Sequence, residues 1–293
     1  MKNKALLILS TLLMTVISSC QTSSSGQQKT NEATSSAAPF EFDLSQPIKL
    51  TLSSILDEIS GITFHPDNAG ILYAIQDEDG KVFTYDIASE KIVDEFSFGK
   101  NGDYEDIATD GKYIYVLRSD GDIYYFPFAH NNDKSLVKII KNVLPKGEYE
   151  SLAYNSKENT LIALCKECKV DKSASTLTGY TFEILGDGTL NKPTMFAVQI
   201  SDLKALDNTI SKTIKPSAIT FNHKTNEWYI ISSIDKILIA TDMNFKPRFV
   251  IPIKRDQFEQ PEGMAVNQNG DLYISNEISN ALSSTLYKFQ LKK

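Results

Sequence analysis

A four-residue pattern returns along this chain at Ser60-Gly61-Ile62-Thr63, Glu105-Asp106-Ile107-Ala108, Glu150-Ser151-Leu152-Ala153, Ser217-Ala218-Ile219-Thr220 and Glu262-Gly263-Met264-Ala265. The starts lie 45, 45, 67 and 45 residues apart. A repeat of this length, built from strand-like runs, describes the blade of a β-propeller. Each of its columns has a physical reading. The third is always large and apolar, which suits the gap between neighbouring blades. The second is mostly small and the fourth always small, which suits the crowding near the axis where the innermost strands converge.

Within each repeat, four strand-like runs alternate with turn residues, as in the Ser119-Asp120-Gly121 turn of the second repeat. The third repeat is about 22 residues longer than the rest, and the extra length falls at 166–177 and 201–215, with room for a short helix in the second segment. The fifth repeat reaches the chain's end with only three strands, while Ile48–Leu52 stands before the first repeat without a place of its own. Pairing it beside 286–291 closes the ring and covers an exposed edge. The expectation is an all-β propeller of five four-stranded blades. Six blades is the alternative, with additional strands in the long third repeat.

The domain is expected over residues 40–293. Before it, Lys2 and Lys4 precede an apolar run from Ala5 to Ile17, then Ser18-Ser19-Cys20. A basic start, a short apolar core and small residues describe a secretory signal over residues 1–19, and the run is too short for a membrane span. The following Cys resembles a bacterial lipobox, which implies lipidation of Cys20, with palmitate as the expected acyl chain. Residues 20–39 are polar, lack aromatics and read as a tether. Cleavage before Cys20 removes two lysines and no acid, leaving 28 basic against 37 acidic residues, a net charge of −9. That balance argues against nucleic acid as a partner.

In a propeller, the loops entering each innermost strand and the turns after the second strand share one face. That face therefore receives the first column together with the ends of the second strands. The ligand-binding candidates are Glu58, Ser60, Asp77, Arg118, Lys166, Ser217, Ser233 and Asn276. Glutamates gathered near one axis repel: at about 6 Å and an effective dielectric of about 20, each pair costs roughly 2–3 kcal/mol. Three remedies exist. A divalent cation such as Ca2+ could sit among Glu105, Glu150, Glu262 and Glu277. Arg118 and Lys166 could neutralise them. Alternatively, the carboxylates could accept backbone N–H groups of neighbouring blades.

The chain has only three histidines. His65 and His223 fall in turns on the opposite face and His130 toward the outside of the second blade, so a Ser-His-acid hydrolase is disfavoured. Neither a G-x-S-x-G elbow nor a phosphate-cradling glycine loop occurs. Cys165 and Cys168, three apart, could form a local disulfide, stay reduced, or serve redox or metal chemistry.

Five segments together, Glu58-Ile59-Ser60-Gly61-Ile62, Leu72-Tyr73-Ala74-Ile75-Gln76-Asp77-Glu78, Gly102–Ala108, Tyr149–Ala153 and Gln260–Met264, resemble the SdiA-regulated (YjiK-like) family of bacterial exported propellers. The Leu164–Cys168 stretch is similar to lipoprotein members from Bacteroidota. The resemblance implies a propeller held in the envelope of a Gram-negative bacterium. Its expected setting is the periplasmic side of the outer membrane, as a monomer attached through Cys20. The functional expectation is binding of a cation, small ligand or envelope partner at an acidic central funnel. The alternative is a metal-dependent hydrolase of phosphoesters or lactones, similar to phytase-like or lactonase-like propellers.

Overall fold

A computed structural model describes residues 40–130, 133–278 and 283–292. The residues on which the signal, the lipidation and the tether were expected lie outside the described ones. The first strand, β1 (Ile48–Thr51), is followed by four complete blades. These are β2 (Ile59–Phe64), β3 (Ile71–Gln76), β4 (Lys81–Asp86) and β5 (Lys91–Ser97); β6 (Tyr104–Thr109), β7 (Tyr113–Arg118), β8 (Ile123–Pro127) and β9 (Lys138–Ile140); β10 (Glu148–Asn155), β11 (Thr160–Glu167), β12 (Thr176–Glu183) and β13 (Thr194–Gln199); and β14 (Ala218–Asn222), β15 (Glu227–Ser232), β16 (Ile237–Thr241) and β17 (Pro247–Pro252). The fifth holds β18 (Pro261–Val266), β19 (Leu272–Asn276) and β20 (Thr285–Phe289), completed by β1. All five sheets are antiparallel and four-stranded, and their innermost strands touch in the closed cycle β2, β6, β10, β14, β18. The architecture is a five-bladed propeller. β1 runs antiparallel to β20 with Ile48 opposite Lys288 and Thr51 opposite Thr285, which is the expected seam.

The columns do what their chemistry suggested. Large third-column side chains of one blade pack with small fourth-column side chains of the blade before: Ile62 shares a core cluster with Ala265, Leu152 with Ala108, and Ile219 with Ala153. The second column is pressed against the next blade. A Cβ on Gly61 would lie 2.6 Å from the Cα of Asp106. Asp106 itself is buried, and its carboxylate accepts the Ile107 N–H at 2.8 Å and the Leu152 N–H of the third blade at 2.7 Å. It is a staple between blades rather than a small spacer.

A further column was not anticipated. Five residues after each column-one position stand His65, Asp110, Asn155, Asn222 and Asn267. Each accepts the backbone N–H two residues on, at 2.8–3.1 Å, and so closes the turn between the first and second strands.

The added length of the third repeat forms no extra strands. It contains two short helices, α1 (Lys169–Ala174) and α2 (Ile200–Leu206), where a helix had been expected only in the second segment. Ile200 and Leu203 of α2 are buried in the core between the third and fourth blades. Asp171 of α1 accepts the hydroxyls of Thr176 and Thr178 at 2.9 and 2.6 Å, which anchors the helix on β12. Among the described residues, no helix is long and apolar enough to cross a membrane.

Candidate functional site

The column-one glutamates sit where the β-ladder breaks. Register shifts fall between Tyr104 and Asp106, between Tyr149 and Ser151, and between Pro261 and Gly263, so Glu105, Glu150 and Glu262 are each the extra residue of a bulge. A shift between Ile59 and Ile62 brackets Ser60 in the same way. A bulge leaves one residue unpaired and re-aims its side chain. Repeated around the ring, it turns three carboxylates toward one mouth.

Backbone bonds between blades hold this mouth. The carbonyl of Asp77, after β3, accepts the N–H of Tyr104 at 2.8 Å, and that of Ser119, after β7, accepts the N–H of Tyr149 at 2.9 Å. Ser60 and Ser217 are used in the same stitching. Their hydroxyls donate to the carbonyls of Glu105 at 2.5 Å and Pro261 at 2.6 Å on the next blade around the ring.

A cavity of about 300 Å³ opens at the mouth beside the third, fourth and fifth blades, with Glu150, Lys166, Ser217, Ser233 and Glu262 in its wall. Glu150 is buried and ion-paired to Lys166, which also reaches Glu148 at 3.6 Å. Burial raises the Glu262 carboxyl above its ordinary range, while a hydrogen bond from Ser233 and the charges of Lys166 and Lys236 oppose the rise. Glu105 is pushed up to about 8, first by burial and then by Asp103, with Lys166 opposing and Glu262 and Asp77 adding to it. Glu277 also rises to about 8, through burial, its contact with Glu58 and the charge of Glu262. Asp77 is raised by burial and by Glu58 and Glu78. One buried Asp77 carboxylate oxygen and both side-chain amide atoms of Asn276 have no hydrogen-bond partner among the described residues. Glu58, Asp77, Glu105, Glu262 and Glu277 thus share one electrostatic neighbourhood, relieved by Lys166 and by retained protons.

Arg118 does not join them. Its guanidinium is held by Asp120 at 2.9 and 2.6 Å and by Asp122 at 2.9 Å, and it lies over the Tyr124 ring. Two carboxylates in its own hairpin offer a planar fork closer than any glutamate of the axis. Nor are the four glutamates proposed for a metal gathered into a cage. Among the described residues, the one set of three or more His, Cys, Asp or Glu side chains whose ligand atoms all lie within 4.8 Å of one another is Cys165, Cys168 and Asp171. There the two sulfurs are joined in a disulfide.

Sequence reasoning missed Lys215, Ile234, Lys236, Glu259 and Gln260, which also line the cavity. Lys215 precedes column one by two residues, so the same face rule could have found it. Lys236 has a φ of 57°, which places it in the turn before β16. On the opposite face a second cavity of about 300 Å³ is lined by His65, His223 and Lys224 among others. The two imidazoles reach backbone carbonyls of the next blade, at Gly111 (3.2 Å) and Gln268 (3.4 Å), and stand away from the acidic mouth.

These features define a five-bladed propeller with a carboxylate-rich axial mouth. The SdiA-regulated family model matches residues 36–282, and the chain belongs to that family. Comparison with curated proteins gave no match. Among solved structures, the chain is similar to the glutaminyl cyclase of Myxococcus xanthus, with a TM-score of 0.58 and 14% identity, covering 84% of this chain and 96% of that one. A luciferin-regenerating enzyme is similar with a TM-score of 0.51 and 9% identity, covering 84% of this chain and 95% of that one. At these identities the likeness is one of fold.

Proposed function

We propose that this protein is a binding module of the bacterial cell envelope whose axial mouth captures a positively charged group. The observation that carries the reading is the set of bulges that aim Glu105, Glu150 and Glu262 into one mouth. A fold that meets this repulsion in three of five blades gains from it when a cation arrives. The carboxylates already stand close enough to raise one another's affinity for protons, and an incoming positive charge replaces those protons. An organic ammonium fits the spacing better than a bare divalent ion, because among the described residues no three carboxylate side chains each bring an oxygen within 4.8 Å of the others. The same spacing counts against a metal-dependent hydrolase, although two propellers of similar fold are named for enzymatic activities. Attachment through lipidated Cys20, on the periplasmic side of the outer membrane, is part of the same proposal and rests on the signal-like residues 1–20.

Titration calorimetry of the folded domain with a panel of primary amines and with calcium chloride tests the reading. Amine binding should release protons, seen as an enthalpy that changes with the buffer, and should weaken at least tenfold in Glu105→Gln/Glu262→Gln. Calcium binding abolished by the same variant would transfer the site to the metal. No binding of either probe would refute a cation-binding mouth.

A further inference from the structure

The cavity wall is not uniformly acidic, and its cations differ in how they are engaged. Lys166 is taken by Glu150, and Lys215 by Glu167. Lys236 is different: its ammonium donates to two neutral backbone carbonyls, those of Phe258 at 3.0 Å and of Glu259, and among the described residues it makes no ion pair with a carboxylate. An ammonium has three N–H donors, so one remains available for an anion. Its backbone is fixed as well, since the Lys236 N–H is held by the Ser232 carbonyl at 3.0 Å. Glu262 stands in the same cavity, within electrostatic reach of Lys236 but outside ion-pair contact. Ile234 lies at the rim with 57% of its surface exposed, as an apolar wall beside two charges of opposite sign.

We propose that the occupant of this cavity is a small zwitterion, an amino acid or short peptide, with its ammonium against Glu262, its carboxylate against Lys236 and its side chain against Ile234. This deepens, and rests on, the reading of the mouth as a cation site. A simple amine leaves the third N–H of Lys236 unused. A simple anion leaves Glu262 without a positive partner from the ligand. A molecule carrying both charges satisfies each wall, and charge-assisted hydrogen bonds at both ends fix its direction in the cavity.

The test compares acids with their amides. The twenty L-amino acids and the dipeptides glycyl-leucine and leucyl-glycine are titrated into the folded domain at pH 7. Each compound is compared with its C-terminal amide, which keeps the ammonium and removes the carboxylate charge. The wild type should favour the free carboxylate at least tenfold. Lys236→Asn should erase that preference and leave amide affinity within threefold; asparagine tolerates the left-handed backbone here. Lys236→Met serves as a second variant, and melting curves of both confirm folding. Amides binding as well as acids would overturn the zwitterion while leaving the cation site standing. A carboxylate preference that survives both substitutions would overturn the role of Lys236. Failure of acids and amides alike would overturn both readings.

Discussion

Replacing Glu105 by glutamine should make the protein more stable in alkaline solution and leave it unchanged in acid. In the folded state its carboxyl is raised from an ordinary 4.5 to about 8, chiefly by burial and the neighbouring Asp103. Below pH 4.5 the group is protonated whether the chain is folded or not, and it contributes no difference. Between 4.5 and 8 the unfolded chain has released a proton that the folded chain retains, so stability falls as pH rises. Above 8 both states are ionised and the folded state carries the whole penalty. The full displacement corresponds to a ceiling of roughly 5 kcal/mol. Solvent reaches this half-buried side chain, which reduces the expected effect to about 2 kcal/mol. For a domain of this size that is a rise in Tm of about 4–8 °C. The assay is a pair of thermal melts, wild type and Glu105→Gln, from pH 5 to 9. The curves should coincide near pH 5 and separate progressively toward pH 8.5. A variant no more stable than wild type at pH 8.5 would mean that Lys166 already neutralises Glu105, and the picture of an under-compensated mouth would fail.

Two further outcomes probe the ring and its attachment. Gly61→Ala places a methyl 2.6 Å from the Asp106 Cα, where backbone cannot yield cheaply, so a loss of about 1–3 kcal/mol is expected in denaturant titration; an unchanged midpoint would contradict the close approach of the first two blades. Metabolic labelling with an alkyne analogue of palmitate should mark the wild-type chain in its host and not Cys20→Ala, and equal labelling of both would exclude lipidation at that thiol.

The ring was legible because its constraints repeat. A third-column residue such as Leu152 must meet a fourth-column residue such as Ala108 in every gap, so size alternation at a fixed period carries the blade count. The seam was legible too, because an unpaired strand at each end of the sequence has one place to go. The turn-closing column from His65 to Asn267 was equally available, but its mixed residue types hid a shared use of the side-chain acceptor. The site was harder to read because side-chain partners are chosen locally. Arg118 was assigned to the axis by strand position alone, yet Asp120 and Asp122 two and four residues later capture it. Lys236 was hidden by a left-handed turn, and the bulges that orient Glu105 and Glu262 leave no mark in residue type. Asp106 was grouped with small residues, although a carboxylate between two strands can satisfy N–H groups on both.

The pairing of β1 with β20 has a consequence for how the chain matures. Its registered partners lie at opposite ends of the domain, Ile48 against Lys288. The first strand to leave the ribosome therefore has to wait for the last before the circle can shut. Until then an incomplete arc leaves β1 unpaired and exposes the apolar flank of the opening blade, which is the condition that invites chaperone capture.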